Sequence, residues 1–365
     1  IVLNKELAAT GNISLINDEA DVTVGEGASI EAQNITLQAD KNAIAVNGGT
    51  IAASGTATLK GQSVSVSGGE LSAASAALTA STENIALNSG SIAANEVTLT
   101  ATKGAISEVD GFALSAPVLN TSAAGATTLL SKANQLEQVN ITEAGGSVTI
   151  GSANSKNSNA LQVITDEQIN GDLTVTNYDD ESGKNNAILV SKSLQAAGDV
   201  ILINEEAAIT VNSGAALACY DVALGAKTAM TINGSVNATR DASLSSGAGM
   251  TINGNVSATR DASLKSSAGM SIIGDVTAGN DASLTAGQDF IQNAGTIAAS
   301  DVAITAQRNV LLNGGSMAAN NNAELVAQTG AITENNAYTI DAPALRVNAG
   351  SYISLGSKAN QLVNV

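Results

Sequence analysis

The sequence predicts an all-β chain wound into a right-handed parallel β-helix, a solenoid of three-stranded coils with about 20 residues per coil and roughly 18 coils. Three observations predict it. The first is a tandem repeat. MTINGSVNATRDASLSSGAG (230–249) is followed at once by MTINGNVSATRDASLKSSAG (250–269), identical at sixteen of twenty positions, and a looser copy, MSIIGDVTAGNDASLTAGQD, comes next. The second is spacing. Met230, Ile232, Val236, Ala238, Ala242, Leu244 and Ala248 lie alternately two and four residues apart. Pairs two apart share one face of a strand and each four-residue step leaves a polar corner, so one copy closes a triangular coil. No 3.6-residue period appears, which disfavours helical solenoids. The third is composition. The 44% hydrophobic content is mostly aliphatic, with 2% aromatics, no Trp, 35 Gly and two Pro. That suits a narrow core with many tight turns.

The same beat recurs, with one-residue slips, at 44–63, 64–83, 84–104, 290–309 and 310–330. Coils stacked at the strand spacing predict a rod of about 85 Å. IVLNKELAATGNISLIN lacks the basic and apolar regions of a signal peptide, and SKANQLVNV stops in mid-pattern. The chain therefore reads as a piece of something longer.

A longer repeat overlies the short one. LAATGNISLINDEADVTV (7–24) matches LQAAGDVILINEEAAITV (194–211), so that Leu7 aligns with Leu194. GAISEVDGFALSAPVLNTSAAGATTLLSKANQL (104–136) matches GAITENNAYTIDAPALRVNAGSYISLGSKANQL (330–362), so that Gly104 aligns with Gly330. The second offset exceeds the first by about two coils, placed most simply in the tandem copies. Three regions follow: residues 1–141 form a first module copy, 142–193 an irregular loop-bearing stretch of β-helix, and 194–365 a second copy with two added coils. Pro117 and Pro343 fall at one place in the module and predict a corner or bulge, since proline cannot donate to an interior ladder. Asn233–Gly234 and Asn253–Gly254 read as corners that tolerate left-handed backbone. Cys219 aligns with Ala32 and predicts a snug, inert inward thiol.

A net charge of −18 with 15 Lys and Arg argues against nucleic acid and anionic membrane surfaces. No apolar run reaches membrane-spanning length, so no insertion is predicted. One cysteine excludes an internal disulfide, and the absence of histidine removes the commonest general base and the usual zinc sites. No enzymatic activity and no cofactor are predicted. A β-helix acting on polysaccharides would need carboxylates and basic groups converging on one face, and sugar binding usually adds aromatic platforms.

The residues that could carry chemistry are few. Asp241, Asp261 and Asp281 recur one coil apart, with Arg240 and Arg260 beside the first two. They read chiefly as a charged corner in which each arginine faces the neighbouring coil's aspartate, and secondarily as a cation or sugar-acid site. Asp179, Asp180 and Glu181 in NYDDESGK are weak calcium candidates, at spacings unlike an EF-hand or a calcium β-roll. Loops at 152–159 and 178–186 (Asn154, Lys156, Asn157, Tyr178, Asp179 and Asp180) are the candidates for a specific contact. Sequons at Asn12, Asn34, Asn120, Asn140, Asn233, Asn237 and Asn255 read chiefly as chance occurrences and turn chemistry in a chain rich in Asn, Ser and Thr, and only secondarily as glycosylation sites.

GNISLIN, GSIAANEVTLTATKGAI, SAPVLNTSAAGATTLLSKANQL and NGDLTVTN resemble the haemagglutinin-type shafts of two-partner-secreted exoproteins. That group includes filamentous haemagglutinin-like adhesins and the stalks of contact-dependent inhibition toxins. The resemblance covers essentially the whole chain. It implies a right-handed β-helix exported by a Gram-negative bacterium through an outer-membrane secretion pore and displayed at the cell surface or released. The expected function is a monomeric spacer in adhesion or biofilm contact, with a host-cell or bacterial surface receptor or a polysaccharide as the ultimate partner. A toxin-delivery stalk is the alternative.

Overall fold

The structure, a computed structural model, describes residues 1–153, 159–179 and 186–364. Among them there is no helix; parallel strands stack as a β-solenoid of about 17 turns with about 21 residues per turn. Two compact units make up the chain, Ile1–Asn186 and Ala187–Val365. In the second unit the tandem copies supply three strands per coil. Met230–Ile232, Ser235–Ala238 and Ala242–Ser246 pair in parallel with Met250–Ile252, Asn255–Ala258 and Ala262–Ser266. Each strand lies on its own equivalent one coil on, so the hydrophobic pattern and the register enforce each other.

Inward side chains form columns. Met230, Met250, Met270, Phe290 and Val310 occupy successive rungs of one. Leu244, Leu264, Leu284 and Ile304 occupy another, and all nine are at most 1% exposed. Burying each such side chain contributes about 1.5–3 kcal/mol, repeated at every coil.

Most coils run slightly longer than the tandem copies. In the first unit Val22, Ile44, Val64, Ile85 and Ile106 are consecutive rungs of one column, unevenly spaced along the chain. The extra residues are absorbed at corners, where the register shifts, as between Val66 and Gly69. Two other expectations change in detail. Ala248 is half-exposed, and the inward position falls on Ser246 instead. Ala242–Ser246 is a five-residue strand, so its period of two runs to Ser246. The Ser246 hydroxyl is satisfied by donating to the Ala248 carbonyl at 3.3 Å.

Gly234 and Gly254 do not have positive φ. A side chain on Gly254 would instead run into the Gly234 carbonyl oxygen, so close approach, not left-handed backbone, demands glycine there. Pro117 and Pro343 behave as expected. Each is exposed at a corner inside a long strand, Ala113–Ala123 and Tyr338–Ala349, where the inward phase slips by one. Cys219, 5% exposed, and Ala32, 6% exposed, both end second strands. Burial pushes the Cys219 thiol up to about 11, which keeps it protonated and inert.

Candidate functional site

The corner between second and third strands carries the charged ladder. Ala238 and Ala258 point inward at the ends of their strands; the chain then turns, and positions 240–241 and 260–261 face out before the next strand begins. Main-chain bonds stack these corners: the Arg260 N–H donates to the Arg240 carbonyl at 2.9 Å and the Asn280 N–H to the Arg260 carbonyl at 2.8 Å.

Side chains add a second set. Arg240 Nε donates to Asp221 Oδ1 at 2.9 Å while its Nη2 engages Oδ2. Arg260 repeats the fork on Asp241, with Nε–Oδ1 2.7 Å. Each carboxylate also accepts the next coil's main-chain N–H. Asp241 N–H donates to Asp221 Oδ1 at 3.0 Å, and Asp261 and Asp281 N–H donate to Asp241 and Asp261 Oδ1, each at 3.3 Å. Within its own coil Arg260 Nε lies 3.3 Å from Asp261 Oδ2.

The structure thus brings Arg240, Asp241, Arg260 and Asp261 into one ladder. Asp281 joins it through the backbone alone; Asn280 stands where an arginine stands in the two preceding coils, and Asp281 makes no ion pair among the described residues. Sequence reasoning missed Asp221 and Tyr220. The Arg240 guanidinium sits over the Tyr220 ring at 4.6 Å from its centroid, a cation–π contact. The signal was present, since Asp221 lies one coil before Asp241, but Tyr220 replaces the arginine and hides the motif.

The forks hold the chain's own carboxylates, so the chemistry of this corner is self-pairing that fixes how each coil sits on the last. The Arg260 fork and the Asp261 N–H hold the Asp241 carboxyl below the usual aspartate range. Because this folded-state value is depressed, the stabilisation is complete above the ordinary value of 3.8 and is lost as pH falls through the folded one. Arg260→Ala is therefore expected to move the thermal midpoint by no more than about 2 °C at neutral pH. Thermal melts at low and high salt check this. A large salt-insensitive loss would give the corner more than a surface role.

Of the loop candidates, Tyr178 and Asp179 are described, whereas Asn154, Lys156, Asn157, Asp180 and Glu181 lie outside the described residues. Tyr178 lies against Gly151, where any side chain would meet the ring. Its hydroxyl donates to the Leu130 carbonyl at 3.3 Å, and Lys132 Nζ sits 5.1 Å from the ring centroid. No group of three or more His, Cys, Asp or Glu residues able to hold a metal ion occurs among the described residues. Several sequon asparagines spend their amides in ladders: Asn34 Nδ2 donates to Asn12 Oδ1 at 2.9 Å, and Asn140 Nδ2 to Asn120 Oδ1 at 2.8 Å.

Comparison of the chain with protein families, with curated proteins and with solved structures returns no match.

Proposed function

We propose that the chain is a shaft segment of a secreted bacterial surface adhesin, acting as a monomeric spacer between a cell surface and an adhesive end. The observation that supports this reading is coil-on-coil pairing in each unit, with every strand of the tandem copies lying on its own repeat. A closed coil leaves strand edges only at the ends of a stack, and load along the stack is shared over all its backbone hydrogen bonds. The resemblance of the repeats to haemagglutinin-type shafts points the same way, as does an acidic surface suited to solubility outside a cell.

Excision of residues 230–269 tests the spacer role. Met230, Met250 and Met270 occupy equivalent rungs, so joining Ala229 to Met270 preserves every column. The excised chain is expected to fold with a similar thermal midpoint and to be shorter by about 10 Å. A parent adhesin carrying the excision should keep its ligand affinity while bridging a shorter gap. Loss of ligand binding by the folded, shortened protein would make these coils a binding surface and overturn the reading.

A further inference from the structure

Glu108 occupies a core position that the shaft role does not require to be acidic. It ends the strand Ile106–Glu108, stacks on Leu87 of the coil before, and is only 7% exposed. Its two oxygens differ. Oε2 accepts the Ser131 N–H at 2.9 Å and Asn134 Nδ2 at 2.8 Å, whereas Oε1 is buried with no hydrogen-bond partner.

The turn it holds is itself a patch in the wall. Asn134 Oδ1 accepts the Leu114 N–H at 3.0 Å and its Nδ2 also donates to the Gly151 carbonyl at 3.2 Å, so one side chain spans neighbouring coils. Ser131 Oγ accepts the Gly111 and Ala133 N–H groups at 3.2 and 3.1 Å. The second unit repeats the device at the equivalent place in its module. Glu334 Oε2 accepts the Ser357 N–H and Asn360 Nδ2, both at 3.0 Å, Asn360 Oδ1 accepts the Ile340 N–H at 2.8 Å, and Glu334 Oε1 is again buried and unpartnered.

We propose that Glu108 is a proton-binding clasp: as a neutral carboxyl it locks the 131–134 turn onto the corner at 108–114, and loss of its proton loosens that turn. An ionised carboxylate needs its full set of hydrogen-bond donors, and here one oxygen is buried with no donor from the protein. Burial is the largest influence and pushes the Glu108 carboxyl up to about 7, outweighing the lowering by the Ser131 N–H, the Asn134 amide and the Leu130 backbone; nearby Asp110 adds to the rise. Among the described residues, Asp110 on the same corner is the charged group that acts on Glu108, while Lys132 on the turn lies over the Tyr178 ring. The neighbouring strands Ile85–Ala93 and Thr127–Leu129 carry no titratable side chain.

The sign follows from linkage. The folded value is raised above the ordinary 4.5, so the clasp is tightest below that value, weakens as pH rises through the folded value of about 7, and levels off above it. Hydrogen exchange followed by mass spectrometry on the whole chain reads it through peptides containing Leu114 and Ser131, corrected for intrinsic exchange. Their protection is expected to fall on the order of a hundredfold across that window, while Met250, bonded to the Gly269 carbonyl at 3.0 Å, changes little. Glu108→Gln keeps an acceptor for both donors and should abolish the pH dependence. A pH-independent wild type, or an unchanged slope in Glu108→Gln, overturns the proposal. The infrared carboxyl band gives a variant-free check: a neutral buried carboxyl should persist above pH 4.5, the ordinary glutamate value, and its absence there would equally overturn it.

Discussion

Gly254→Ala is expected to be the most damaging single-methyl change in the repeated coils, costing about 2–3 kcal/mol. Gly225→Ala, in the same unit, should be neutral or stabilising by up to about 1 kcal/mol. The contrast arises from stacking. Gly234, Gly254 and Gly274 lie on one another, and a Cβ at each of the last two would overlap the carbonyl oxygen of the glycine before it. The clash is with backbone, which no side-chain rotation relieves. Its relief would lift one coil from the next at a point where the Asn253 and Gly254 N–H groups both donate to the Ile232 carbonyl, at 2.8 and 2.9 Å. The same shift would strain the amide ladder from Asn253 Nδ2 to Asn233 Oδ1, 2.8 Å long. Around Gly225, by contrast, nothing lies within 4 Å of the added carbon. Urea unfolding of the two variants beside the parent checks the pair. Equal effects would mean that the strand's intrinsic preference, not close approach, controls these glycines.

That result bears on how far the fold was legible in the sequence. The two-and-four spacing picked out the inward positions of the tandem copies from Met230 to Leu244 because aliphatic side chains have one place to go in a narrow coil. It failed at Ser246 because a hydroxyl can be buried once a local carbonyl accepts it, which hydropathy does not register. Asn–Gly predicts a corner and stands at one, but the reason for glycine lies in the preceding coil's carbonyl and becomes visible only with register. The charged ladder was legible where arginine and aspartate recur together and was cut one coil short at Tyr220. Glu108 was invisible as a core residue. An acid beside a corner reads as solvent-facing, and its donors Ser131 and Asn134 arrive a full coil later in the chain.

A second polar pair in the core is expected to show strong coupling. Tyr338, fully buried, donates its hydroxyl to Gln292 Oε1 at 2.6 Å, two coils earlier in the chain. Gln292, also fully buried, continues a column that is Ile272 before it and Leu312 after it, and Leu312 pairs onward with Glu334. The first unit runs the same column as Val66, Leu87 and Glu108. Phe112 stands there at the position that aligns with Tyr338. The first unit therefore places two fully buried apolar side chains, Val66 and Phe112, at the positions where the second has the hydrogen-bonded Gln292 and Tyr338.

Removing one partner leaves a buried polar atom unsatisfied, so Tyr338→Phe alone should cost about 1–3 kcal/mol. Gln292→Val alone should cost at least as much, because it strands the Tyr338 hydroxyl and removes the amide donor to the Gly295 and Ser316 carbonyls, at 3.0 and 3.1 Å. The Gly295 carbonyl keeps the Ser316 N–H at 3.0 Å. Together the two changes rebuild the pair that the first unit already tolerates, and the double variant should be more stable than the sum of the singles by about 1–2 kcal/mol. A double-mutant cycle by urea unfolding measures this directly. Strict additivity would mean that the hydroxyl and the amide are independent passengers of the core. Coupling of the expected size would show that the two units fill one backbone with alternative, internally matched cores.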